Sequence, residues 1–130
     1  MPATRSRTLA LLAAALTLAL ASATALAEPS NKWRIEVSSD ADSTGVLVFE
    51  LAPVNAPVET VTVNVADDTG ENAVARLIRD AMRAQLGGRY QVEVDDGEDV
   101  LVKKAQGAAD FDLRLREQSV RGVRIDLDRE

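Results

Sequence analysis

The 130-residue chain contains no cysteine and no histidine. Without cysteine there is no disulfide, no thiolate nucleophile and no soft ligand for zinc. Without histidine the commonest general base is missing as well. Aromatic residues are scarce: Trp33, Phe49, Tyr90 and Phe111 are the whole set. At least three of them fall on the inward side of strand patterns, whereas a sugar cleft needs exposed rings. The serines fall in no Ser-x-x-Lys or Gly-x-Ser-x-Gly arrangement. A carboxylate-based hydrolase is therefore the third reading of the chain, and catalysis is not expected.

Positive charge is also in short supply, with 15 Lys and Arg against 21 Asp and Glu, a net charge of −6. Two of those cations, Arg5 and Arg7, precede an apolar run over residues 8–27 that ends Ala25-Leu26-Ala27. A basic start, an apolar stretch and a small-x-small ending make a cleaved secretory signal peptide, leaving Glu28 as the new N-terminus. The run is alanine-rich and only weakly apolar, which favours cleavage over an uncleaved anchor. No cysteine follows it to carry a lipid, and the two arginines are not adjacent, as a twin-arginine export signal requires. The expected location is a bacterial periplasm or the medium, with no stable membrane insertion once the signal is removed.

Residues 28–130 then form a single domain, and losing the two arginines takes the net charge to −8. About a hundred residues bury roughly two-thirds of their unfolded surface, enough for stability by packing without staples. The acidity argues against nucleic acid and anionic lipid and favours cations or basic protein surfaces.

What is present is short alternating segments. In 32–37, Trp33, Ile35 and Val37 alternate with Arg34 and Glu36, the period-two pattern of a half-buried strand. Residues 46–51, VLVFEL, are apolar on both faces and belong at the centre of a sheet. A stiff loop with Pro53 and Pro57 leads to 58–65, where Val61, Val63 and Val65 alternate with Thr60, Thr62 and Asn64. The period then changes. Over 71–86, Val74, Leu77, Ile78, Ala81, Met82 and Leu86 make one helical stripe. Asp68 and Glu71 have capping-box spacing, and Gly87-Gly88 ends the helix. Strands are expected again over 89–95, 98–104, 110–116 and 120–127.

The expected fold is α+β: an antiparallel sheet of about seven short strands, three and then four in a meander, with one amphipathic helix packed across it. The first strand is the expected edge.

Three groups of residues could act as sites. Asp95, Asp96, Glu98 and Asp99 crowd the turn between two strands. A three-residue loop, Asp95-Asp96-Gly97, stacks the apolar rows and puts glycine at the left-handed position, so backbone geometry accounts for the motif. A bound cation is the alternative, relieving repulsion between Glu93 and Asp99. Asp40 and Asp42, in DADSTG, copy the first half of a calcium loop, but Leu51 stands where the bidentate Glu belongs. Arg76, Arg79 and Arg83 line the outer helix face and could meet an acidic partner, with Arg76 and Asp80 as an i,i+4 pair.

The leading expectation is a small, monomeric, non-catalytic binding or accessory protein acting through protein–protein interaction, without a cofactor. An exposed sheet edge and the arginine face are its candidate surfaces. A calcium- or cation-responsive module is the alternative. Calcium at millimolar levels should leave the melting temperature of the metal-free protein unchanged, and a rise would assign an ion to one of the acidic loops.

Overall fold

A computed structural model of the chain describes residues 28–130. The expected signal segment, with its expected cleavage after Ala27, lies outside the described residues. The elements are β1 (Lys32–Ser38), β2 (Gly45–Pro53), β3 (Glu59–Val65), α1 (Glu71–Leu86), a single 3-10 turn at Gly87–Arg89, β4 (Tyr90–Asp95), β5 (Asp99–Lys104), β6 (Phe111–Gln118) and β7 (Arg124–Arg129). The class is α+β, with three strands before the helix and four after it, all pairings antiparallel.

The strands divide into two sheets, in the orders β4-β5-β1-β7 and β3-β2-β6. The last four strands do not form the expected meander. β6 leaves it to pair with β2, where Leu113 meets Leu51 and Leu115 meets Phe49. β7 returns to β1, where Leu127 meets Ile35 and Ile125 meets Val37. Both crossings stack one apolar row on another. They also make β1 an interior strand between β5 and β7, correcting its assignment as an edge. β2 is central, as its composition suggests, although only Leu47, Phe49 and Leu51 point into the core.

Between the sheets lie Ile35 and Val37 of β1, the β2 row, Val61, Val63 and Val65 of β3, and Val100 and Val102 of β5, all essentially without solvent contact. Each fully buried aliphatic side chain contributes about 1.5–3 kcal/mol of transfer free energy. Tyr90 meets Phe111 edge to face, with ring centroids 4.9 Å apart.

The helix buries Val74, Ala75, Ile78, Met82 and Leu86. Leu77, expected in that stripe, is 36% exposed, and Ala75 is buried instead. At 3.6 residues per turn Leu77 stands about 100° round the helix from Ile78, on the side away from Met82 and Leu86.

The expected capping box between Asp68 and Glu71 is not formed. The N-cap position is Gly70, with no side-chain cap of its own, and Asp68 adopts a left-handed φ of 66° while donating its N–H to the Ala41 carbonyl. The cap comes from the β1–β2 loop: Asp40 Oδ1 accepts from the Glu71 N–H at 3.1 Å, and Glu71 Oε2 accepts from the Ser39 N–H at 3.0 Å. Asp40→Ala should therefore cost about 1 kcal/mol in urea unfolding. Asp68→Asn should stay near zero, since Asn tolerates the left-handed region. An unchanged midpoint for Asp40→Ala would remove Asp40 as the cap.

Candidate functional site

The β4–β5 hairpin turns through Asp96, Gly97 and Glu98, with Asp95 opposite Asp99 and Val92 opposite Val102. This register is two residues from the expected one, so it keeps every side chain on its expected face. What selects it lies on another strand. Arg34 of β1 donates Nη1 to Asp99 Oδ2 at 2.7 Å and to Asp95 Oδ2 at 3.2 Å, so the two facing acids share one guanidinium. Asp96 and Gly97 both take positive φ, 51° and 81°, to close the turn. Arg34 also reaches Glu130 through Nε at 3.4 Å. These carboxylates, Asp99 foremost and then Glu130, hold the guanidinium pKa above its ordinary range, against the opposing effect of burial.

The same outer face carries a row that composition alone does not reveal. Asp95 faces Asp99, Asp99 faces Glu36, and Glu36 faces Asp126, giving four carboxylates in line across four strands. Like charges directly opposite one another are destabilising. Glu36 shows the consequence: its pKa is raised, first by a hydrogen bond with Asp128, then by desolvation and by the charges of Asp128, Asp99 and Asp126. Among the described residues no three acids converge as ligands for one metal ion.

Asp40 and Asp42 belong to a loop whose polar groups serve the backbone. Asp40 caps the helix. The Asp42 N–H donates to the Arg121 carbonyl at 2.7 Å, and Ser43 Oγ accepts from the Arg121 N–H at 2.9 Å. Thr44 Oγ1 accepts from the Asp67 N–H at 3.1 Å. The β6–β7 loop approaches so closely that a Cβ on Gly122, whose φ is 95°, would come within 2.5 Å of the Asp40 carbonyl oxygen. The DADSTG segment is a clamp holding the helix start and the β6–β7 loop together.

The three helix arginines point to different tasks. Arg79 Nε pairs with Asp80 at 2.8 Å, in place of the expected Arg76–Asp80 pair. That contact, aided by the nearby Arg83 and Arg76 charges, holds the Asp80 pKa below its ordinary value. Arg76 is exposed. Arg83 Nε donates to the Val92 carbonyl of β4 at 2.7 Å. Beside it, a residue that sequence reasoning passed over does the same for β3: Gln85 accepts from the Thr62 N–H at 3.0 Å and donates to the Thr62 carbonyl at 2.9 Å. One helix thus satisfies backbone groups on the outer edges of both sheets.

The other two edges, β6 and β7, have no such cover among the described residues. Their hairpin is splayed, each strand ending a different sheet. At its mouth, Ser30 and Phe111 exchange both backbone hydrogen bonds at 2.9 Å, one antiparallel rung on the outer side of β6. Alternation turns Pro29, which has no N–H, away from β6. Beyond that rung, alternation points the N–H and C=O groups of Leu113 and Leu115 away from β2. The Glu130 N–H donates to Lys32 of β1, so the backbone groups of Ile125 and Leu127 point away from β1 in turn. Half-buried Leu115, Ile125 and Leu127 form an apolar strip between the two edges. A cleft of about 420 Å³ opens there beside Trp33, Asp112, Arg114, Leu127 and Asp128.

Comparison of the chain with protein-family models, with curated proteins and with solved structures finds no match. The site is therefore read from its geometry.

Glu36→Gln should raise the melting temperature at pH 7. A carboxyl whose folded pKa is raised destabilises the fold above that pKa and ceases to do so as it gains its proton. The gain should accordingly shrink as pH falls from 7 through the carboxylate range. A gain that is absent at pH 7, or that grows on acidification, would contradict the crowded row.

Proposed function

We propose that this chain is a small, exported, non-catalytic binding protein of a bacterial periplasm or the medium, which engages a protein partner by strand addition. One observation carries the reading: two strand edges that the described residues leave bare stand next to each other across an apolar strip, while the helix attends to the other two edges. An exposed edge offers a row of unpaired donors and acceptors, and proteins that do not use such an edge cover it, shorten it or charge it inward. Main-chain hydrogen bonds then give affinity and alternate side-chain pockets give selectivity. The missing histidine and cysteine and the few inward-facing rings support a role without chemistry on a substrate.

The test is cross-linking capture of a partner by the tagged chain in its native envelope, repeated with Leu115→Lys. A lysine at this half-buried position puts an inward charge on the β6 edge, a device that blocks strand pairing. Capture should be lost in the variant while its cooperative unfolding is retained. Undiminished capture by Leu115→Lys would remove the edge from the account.

A further inference from the structure

We infer that the β6–β7 seam takes one extended polypeptide strand from a partner protein, hydrogen-bonded to both edges at once, antiparallel to β6 and parallel to β7. The inference rests on the strand-addition reading and specifies its geometry and the chemistry of the partner segment.

Three observations lead to it. The Ser30–Phe111 rung is already one residue of such a strand, made on the outer side of β6 in the antiparallel sense. The rest of the seam continues that line. Second, the splay is fixed where the two strands join. The Val46 N–H donates to Ser119 Oγ at 2.9 Å, and the Ser119 N–H donates to the Val46 carbonyl at 3.0 Å. Gln118 Nε2 donates to the Val120 and Val123 carbonyls at 3.0 and 2.7 Å. A Cβ on Gly45 would come within 2.4 Å of the Val120 backbone. With the Asp42 and Ser43 contacts to Arg121, these hold the β6–β7 loop against β2 and the clamp. Third, the strip formed by Leu115, Ile125 and Leu127 is only half covered by the protein itself. A strand seated in the seam would lay every second side chain on it.

The rim specifies the remaining side chains. Charges of both signs line the same cleft: Arg114 on β6, paired with Asp112 at 2.8 Å, and Asp128 on β7, with Arg129 paired to Glu28 at 2.9 Å. A charged residue between them meets one favourable and one unfavourable neighbour, so uncharged hydroxyl or amide side chains fit both. The partner segment therefore alternates apolar residues with Thr-, Ser- or Asn-like residues. A second copy of this chain fits less well. Antiparallel pairing of two β6 edges about residue 114, 115 or 116 puts arginine opposite arginine, which is unfavourable. Pairing about residue 113 needs Phe111, whose outer edge Ser30 occupies.

The probe is a capped synthetic peptide copying residues 59–65, Glu-Thr-Val-Thr-Val-Asn-Val, titrated to millimolar concentration into the isotope-labelled chain and followed by amide NMR. The Leu113 and Leu115 resonances should move together with those of Ile125 and Leu127, along one saturation curve. Leu115→Lys and Leu127→Lys should each weaken that curve about tenfold or more, and Val58→Lys, on an exposed loop, should leave it unchanged. Movement of one edge alone overturns the seam while leaving strand addition in place. No movement at all overturns the inference. Shifts that depend on protein concentration without peptide would make the occupant a second copy and overturn it equally. Should a lysine variant fail to fold, the wild-type shift pattern still decides between one edge and two.

Discussion

Seven antiparallel strands that divide between two sheets leave four edges, and the rest of the structure follows from how those edges are managed. Every edge carries backbone donors and acceptors that must find water or a partner. Here α1 attends to two of them at its C-terminal half, with Gln85 on Thr62 of β3 and Arg83 on Val92 of β4. The two residues are two positions apart and so about 200° from one another round the helix, which lets a single rigid element reach one edge of each sheet while its apolar stripe fills the space between them. Among the described residues the opposite flank has no second helix, and the edges there stay apart.

That asymmetry is sustained by the β1–β2 loop. Asp40 and Ser39 complete the capping box with Glu71 at one side of the loop, and Asp42 and Ser43 hold Arg121 at the other. The loop thereby links the element that seals one flank to the turn that keeps the other flank splayed. Asp40 resembles an ion ligand in the sequence, yet its carboxylate accepts from the backbone N–H of Glu71 and so has a structural task.

Much of the architecture was legible. Period-two alternation located the strands, and the 3.6-residue stripe with Gly87 located the helix and its end. The misreadings of cap, register and strand order share one cause, which is that the deciding partner lies far along the chain. Asp68 was the local candidate for the cap, but Asp40, 31 residues before Glu71, supplies it. The hairpin register depended on Arg34, 61 and 65 residues from the acids it joins. The acid row through Asp95, Asp99, Glu36 and Asp126 exists only once β1 lies between β5 and β7. Strand order was the missing quantity, and with it the identity of the open edges. A hint was present: the last strand alternates Ile125 and Leu127 with charged residues as regularly as the first, and so could pair with it as well as with its neighbour in sequence.

Amide hydrogen exchange of the free protein, read residue by residue, tests the central claim most directly. The account predicts that the Thr62 amide, held by Gln85, exchanges far more slowly than those of Leu113, Leu115, Ile125 and Leu127. Strong protection at those four positions in dilute protein would mean that β6 and β7 have zipped together or are otherwise covered, and would contradict it.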